Sequence, residues 1–73
     1  MSARHRYVLE VNNAVLRLEP QEVLPFVRGF AQALNQVREL AVLDTDAPED
    51  TKRMQAMQIG HQLGWWDYRY IER

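Results

Sequence analysis

The side chains that could do chemistry in this chain are two histidines and a cluster of carboxylates. His5 lies near the start and His61 lies in a segment with helical periodicity, and neither has a second metal ligand three or four residues away. The carboxylates lie together at Asp44, Asp46, Glu49 and Asp50. This acidic cluster lacks the glycine and the spaced ligands of a calcium-binding loop. The sequence therefore predicts no resident metal ion.

The composition excludes the other common kinds of catalytic site. The chain has 73 residues and no cysteine, which excludes thiol nucleophiles, disulfides and thiolate zinc sites. It contains no glycine-rich phosphate-binding loop. We therefore expect a protein that is not an enzyme and uses no cofactor. With 47% hydrophobic and 26% charged residues, the composition is typical of one globular domain, expected over residues 1–73.

The charge pattern favours a protein partner. A net charge of −1 argues against a protein that coats nucleic acid, and we expect no specific DNA binding of its own. The basic residues Arg4, His5 and Arg6 open the chain, whereas the acidic cluster lies in its middle. Each charged group alone is more often simply solvated. Neither a signal peptide nor a membrane span is visible, so we expect a cytoplasmic protein without a membrane partner.

Residues 6–19 have the alternating pattern of a β-hairpin. Asn12-Asn13 separates two runs, and asparagine tolerates the positive φ of a two-residue turn. Such a turn places Leu9 opposite Leu16 on an apolar face, while the other, mixed face pairs Val8 with Arg17 and Arg6 with Glu19. Residues 1–5 precede this pattern, and we expect them to form a mobile tail.

The strongest amphipathic pattern in the chain covers residues 23–41 and predicts one long helix. It is expected to begin between residues 20 and 23 and to fade by Leu43, with Pro25 in its first turn. Its main apolar line consists of Val23, Val27, Phe30, Leu34, Val37 and Ala41. Gly29 is either a site of close strand approach or a tolerated helix glycine.

A second helix is expected to follow a loop and to end at Gly64. Asp46 and Glu49 have the spacing of a capping box, and Thr45 is the competing cap. The expected buried side carries Met54, Ala56, Met57, Ile59, Gly60 and Leu63. An uncharged stripe, Thr51, Gln55, Gln58 and Gln62, follows the other side. This glutamine stripe is either a solvated face or an interface, because amides cost less to desolvate than charged groups.

The segment 65–71 alternates again and is rich in residues that favour strands. The alternation places three aromatic residues on one face, Trp66, Tyr68 and Tyr70. They serve either as core or as a stacking platform for single-stranded nucleic acid beside Arg69. The element order is β-β-α-α-β. The sequence thus predicts an α+β fold, with a small antiparallel sheet, formed by the hairpin and the C-terminal strand, and two helices on one face.

The amino-acid sequence, from its opening MSARHRYVLEV to its ending GWWDYRYIER, resembles that of the small phage-encoded transcription regulators that bind host RNA polymerase. The resemblance covers the whole length and rests on no short motif. It implies a protein of the host bacterial cytoplasm that binds the N-terminal region of the β′ subunit and the β flap. It further implies displacement of the primary sigma factor at promoters, and antitermination at intrinsic terminators together with NusA.

The residues that contact such a partner have to be inferred from the sequence itself. Arg4, His5 and Arg6 precede the alternating run, so the core does not need them, and arginine is enriched at interface hot spots. Tyr7 belongs to a first strand that we expect to offer an edge for strand addition. We expect Trp65 to point outward if Trp66 points inward, which makes it a candidate anchor.

Two alternative functions remain open from the sequence alone. The first is a structural or oligomerisation module that self-associates through the glutamine stripe, and sedimentation tests it. The second is a single-strand binder that uses the C-terminal aromatic strand. A salt titration tests that alternative, because phosphate contacts make affinity fall steeply with salt.

Overall fold

Strands and helices follow one another in the predicted order β-β-α-α-β. A computed structural model describes residues 5–72, with the side chains of Tyr70 and Glu72 outside that description. The elements are β1 (Arg6–Val11), β2 (Ala14–Leu18), α1 (Pro20–Ala33), a 3-10 segment (Val37–Leu43), α2 (Glu49–Gln62) and β3 (Asp67–Glu72). The α+β class is confirmed. The expected mobile tail lies outside the described residues, except for His5.

The predicted hairpin is confirmed in turn and in register. Asn12 and Asn13 have φ values of 51° and 66°, as a type I′ turn requires. Leu9 pairs with Leu16 and Val11 with Ala14. A two-residue turn leaves no freedom in the pairing, so the turn alone sets the register of the whole hairpin.

The first strand lies in the middle of the sheet. The strand order is β2-β1-β3, and β1 pairs antiparallel with both neighbours. The expectation that β1 offers an edge for strand addition is therefore wrong. The third strand fills that edge, and the outer strands β2 and β3 form the edges of the described sheet.

The third strand carries an irregularity that the alternation did not predict. Val8 pairs with Tyr70 and Leu9 pairs with Tyr68, so Arg69 is an extra residue between the two pairs. Such a bulge reverses the alternation of the strand. Tyr68 and Tyr70 consequently pair with residues on opposite faces of β1, not on one face as predicted.

The predicted long helix over 23–41 ends early, at Ala33. Asn35 adopts a φ of 57°. The Gln36 amide then donates to the Ala31 carbonyl (2.8 Å), and the Asn35 amide donates to the Gln32 carbonyl (3.1 Å). These are the two bonds of a Schellman motif, with asparagine in the position usually taken by glycine. After this break the chain continues as the 3-10 segment.

The first helix begins where the sequence predicted, at Pro20. The Glu19 backbone N–H donates to the Glu22 Oε1 atom (2.8 Å), which satisfies a donor at the helix start. Pro20 takes the first helical position, where its missing N–H costs nothing. Pro25 therefore lies inside the helix, beyond the first turn expected for it.

The second helix ends as predicted but begins differently. Its N-cap is Pro48, so the capping box of Asp46 and Glu49 does not form. The Thr45 hydroxyl oxygen accepts instead from the Ala47 amide (3.2 Å), as in a local turn. At the other end, Gly64 has a φ of 79° and closes a second Schellman motif.

Both helices pack against one face of the sheet, and the 3-10 segment packs against the two helices. The buried core consists of Tyr7, Leu9, Val23, Val27, Ala31, Leu40, Leu43, Ala56, Met57, Trp65 and Trp66. Several residues expected to be buried are exposed, namely Leu34, Val37, Ala41, Met54 and Leu63. For Val37 and Ala41 the cause is the break at Asn35, which rotates the following segment so that Leu40 and Leu43 face inward.

Candidate protein-binding surface

The face of the sheet that points away from the helices is the main candidate surface. Tyr7 and Leu9 belong to the core, so the residues between and beside them on β1 face the other way. We call this side the outer sheet face. It comprises Arg6, Val8, Glu10, Val15, Arg17 and Arg69.

Ion pairs organise the outer sheet face. Arg6 Nη2 lies 3.6 Å from Glu19 Oε2. Arg69 contacts the carboxylate of Glu10, and its Nη2 lies 3.7 Å from Asp67 Oδ2. Because these pairs are exposed to solvent, each contributes no more than about 1 kcal/mol to stability. They leave both signs of charge on one surface, which suits a protein partner with its own mixed charges.

Val15 places apolar surface among these charges, whereas Val8 is covered and offers almost none. Val8 is 2% exposed although it does not belong to the helix-covered core. Val15, which pairs with Glu10, is 53% exposed. An exposed apolar side chain surrounded by charged groups has the composition of a small interface centre with a polar rim.

The basic start of the chain leads onto this surface. Arg4 lies outside the described residues. His5 is half-buried, and its ring centroid lies 5.9 Å from that of Tyr7. Arg6 is half-buried on the outer sheet face. The structure therefore places Arg6 on the same face of the sheet as Arg17, which the sequence placed on the mixed hairpin face but did not single out as a site. His5 contacts Tyr7, whose side chain belongs to the opposite face.

Tyr7 is a core residue and not a surface anchor. It is 1% exposed and packs in the centre of the sheet. Burial raises the pKa of its hydroxyl above the ordinary 10.0, the Asp50 carboxylate adds to the rise, and Arg53 opposes it. Desolvation disfavours the ionised phenolate, which explains the direction. Tyr7 can reach a partner only through a change in the fold.

Trp65 is also buried, which removes the solvent exposure that suggested it as an anchor. It is 8% exposed, and its indole N–H donates to Gln36 Oε1 (2.8 Å). Its ring stacks on Phe30, with centroids 5.6 Å apart. The prediction failed because β3 begins at Asp67, so the alternation of a strand does not govern residues 65 and 66. Both indoles point inward.

His61 lies at the C-terminal end of α2, beside the start of β3. Its Nδ1 atom is 3.3 Å from the Trp66 carbonyl oxygen and 3.3 Å from the Tyr68 amide nitrogen. Asp67 Oδ1 lies 3.6 Å away. Within residues 5–72, no group of three or more histidine or carboxylate side chains could hold a metal ion. His61 thus serves to join α2 to the strand that follows it.

A second surface follows α2 on the helical side of the molecule. The glutamine stripe is exposed, as both of its interpretations require. A groove of about 300 Å³ runs along it, lined by Val42, Met54, Gln55, Gln58, Ile59 and Gln62. Val42 is 53% exposed and comes from the 3-10 segment. The sequence could not assign Val42 to this groove, because its position depends on the break at Asn35.

Comparisons with protein-family models, curated proteins and solved structures find no match for this chain. In the part of the chain that is described, no helix is long and apolar enough to cross a membrane.

Proposed function

We propose that this protein is a phage transcription regulator that binds host bacterial RNA polymerase in the host cytoplasm. In this proposal the protein contacts the β′ N-terminal region and the β flap. It inhibits initiation by displacing the sigma factor from promoters, and it antiterminates at intrinsic terminators with NusA. The resemblance from MSARHRYVLEV to GWWDYRYIER supports the choice of partner.

The single observation that carries the binding site is the position of Arg6 on the outer sheet face. The backbone at His5 and Arg6 leads directly from the basic start onto a surface that no described helix covers. Arginine offers a planar fork of donors for carboxylates. In the bound state, a carboxylate of the partner binds the Arg6 guanidinium in place of Glu19 or together with it. Weakening the exposed ion pair between Arg6 and Glu19 costs little free energy, because that pair is weak.

The shape of the protein agrees with a surface-binding mechanism. Its principal extents are 38 × 34 × 17 Å, so the molecule is broad and thin. The broad side can supply the roughly 800 Å² per partner that a stable interface buries. A thin body on the polymerase surface can block the approach of a second protein without reaching the catalytic centre.

The experiment that tests the proposal is a pull-down from bacterial lysate with the tagged full chain. The expected result is recovery of the β and β′ subunits in equal amounts, resistant to nuclease. A control variant on the helical side, Arg28→Ala, is expected to recover them equally well because Arg28 is exposed on α1. The proposal would be overturned if neither subunit were recovered from the lysate of a host whose promoters the protein inhibits.

The alternative function, binding of single-stranded nucleic acid, requires an exposed face formed by Trp66, Tyr68 and Tyr70. Two of these three residues do not lie on such a face. Trp66 is buried, and its indole N–H donates to the Met57 carbonyl (3.1 Å). Tyr68 packs against the core. No observation on the described residues favours this alternative over polymerase binding.

A further inference from the structure

The Nδ1 atom of His61 lies between a hydrogen-bond donor and an acceptor, and it cannot serve both at once. The Tyr68 amide nitrogen and the Trp66 carbonyl oxygen are each 3.3 Å from it. An unprotonated Nδ1 accepts from the Tyr68 N–H, whereas a protonated Nδ1 donates to the Trp66 carbonyl. We propose that protonation of His61 switches the junction between α2 and β3 from the first of these hydrogen bonds to the second.

The protonated ring also gains an ion pair. Asp67 Oδ1 lies 3.6 Å from His61 Nδ1. Among residues 5–72, no charged side chain of α1, of the 3-10 segment or of α2 itself forms an ion pair with His61. The residues one turn earlier on α2, Met57 and Gln58, are uncharged. The electrostatic surroundings of the ring are therefore set by β3.

Asp67 connects the switch to the sheet. Its Oδ2 atom lies 3.7 Å from Arg69 Nη2, and Arg69 also contacts the carboxylate of Glu10. Glu10 and Asp67 stand opposite each other in the pairing of β1 with β3. Like charges in such a position are destabilising, and these two carboxylates share the Arg69 guanidinium. Protonation of His61 places a second positive charge beside them.

The switch changes local order at the start of β3 and not the fold as a whole. The side chains of His61 and Asp67 are 47% and 55% exposed, so water screens their ion pair and the pair is weak. The Tyr68 amide, by contrast, loses this acceptor near the N-terminal end of β3, next to the bulge at Arg69. Acidification therefore loosens this end of the strand.

The pH range of the switch follows from the residue type. Histidine is the side chain whose ordinary charge change falls between about pH 5 and about pH 8. Every group in the switch belongs to the free chain, so its operation does not depend on polymerase binding, and the two proposals stand or fall separately.

Nuclear magnetic resonance of the full chain, from about pH 5 to about pH 8, tests the inference. At the upper end, the proton of the neutral His61 ring is expected on Nε2, which leaves Nδ1 as the acceptor. As the ring becomes protonated, the hydrogen-exchange protection of the Tyr68 amide is expected to fall at least about fivefold, as the loss of one hydrogen bond allows. The protection is corrected for the ordinary dependence of amide exchange on pH.

His61→Asn removes the titration and keeps an amide oxygen as an acceptor, so the protection of the Tyr68 amide is expected to stay constant over the same range. His5→Asn is the matched control, since His5 is the other histidine of the chain and lies beside Tyr7. It is expected to keep the full response of the parent. A neutral ring with its proton on Nδ1, a Tyr68 amide whose protection does not change as His61 titrates, or an unchanged response in His61→Asn overturns the inference.

Discussion

The indole of Trp66 lies directly on the backbone of Gly60. A Cβ atom built at Gly60 would fall 2.0 Å from Cζ2 of that ring, closer than any real contact. The ring cannot move away easily, because its N–H donates to the Met57 carbonyl and it packs against Phe26 and Phe30. Glycine at position 60 is therefore what allows β3 to begin against α2.

Gly60→Ala is expected to destabilise the protein by about 2–3 kcal/mol, although alanine is the better helix former. Gly29→Ala is the matched control, because nothing lies within 4 Å of a Cβ at that position of α1. It is expected to stabilise by about 0.5–1 kcal/mol. Urea unfolding followed by tryptophan fluorescence measures both. Equal effects of the two substitutions would contradict the packing of Trp66 on Gly60.

Phe30 holds the aromatic cluster together. Its ring lies 5.9 Å from that of Phe26, 5.6 Å from Trp65 and 5.0 Å from Trp66. Phe30→Ala is expected to cost about 3 kcal/mol, whereas Arg28→Ala, on the exposed side of the same helix, is expected to change stability by less than about 0.5 kcal/mol. Thermal melting compares the two. Similar melting temperatures would mean that α1 faces the sheet with another side.

How far the sequence predicts this fold depends on how local the deciding interaction is. The hairpin was predicted in full because Asn12-Asn13 is a turn signal that also sets the register. The end of α1 was missed because the apolar periodicity continues past Asn35, and a single asparagine is a weak stop signal. The bulge at Arg69 depends on pairing with β1, and no local pattern encodes it.

The conformation at Asn35 leads to the third prediction. Most residues with a Cβ atom are strained in the left-handed region of φ, and asparagine is among the exceptions. Asn35→Ala is therefore expected to destabilise the protein by roughly 1–2 kcal/mol. Asn35→Gly is expected to be neutral or slightly stabilising, since glycine adopts this φ freely. The urea midpoints of the two variants provide the test. A stable Asn35→Ala protein would favour an uninterrupted helix.

The fourth prediction concerns alkaline pH. Burial raises the pKa of Tyr7 above 10.0, so the folded protein holds this proton more tightly than the unfolded chain does. The stabilisation of the folded state that results from this difference is fully present below about pH 10. It is lost as the pH rises through the pKa of Tyr7 in the folded protein. Tyr7→Phe keeps the buried ring and removes the titration. It is expected to lose less stability than the parent between about pH 9 and about pH 11, measured by urea unfolding at each pH.

Burial raises the pKa of Tyr68 as well, and the neighbouring Tyr7 adds to the rise. Tyr68→Phe is therefore expected to change the alkaline profile in the same direction. A Tyr7→Phe profile that coincides with the parent profile would contradict a buried, titrating hydroxyl at this position.

The candidate site shows a different limit of sequence reasoning. The mixed face of the hairpin was visible in the alternation, so Arg6 and Arg17 were placed correctly on one side. Trp65 was chosen because the alternation placed it outward, and Tyr7 because its strand was expected to offer an edge, yet the fold uses both as core. Strand order decides whether Tyr7 lies at an edge, and strand order follows from contacts between distant segments.

We propose that the outer sheet face binds host RNA polymerase. The most direct measurement is the affinity of purified polymerase for the double variant Arg6→Ala/Arg17→Ala, compared with Arg28→Ala/Arg38→Ala on exposed positions of the helical side. Because both pairs remove two positive charges, a difference between them reports location and not net charge. The outer-face variant is expected to bind at least about tenfold more weakly, or by about 1.4 kcal/mol, whereas the control keeps the parental affinity and both variants keep the fold. An outer-face variant that binds polymerase and blocks promoter transcription as well as the control does would contradict it.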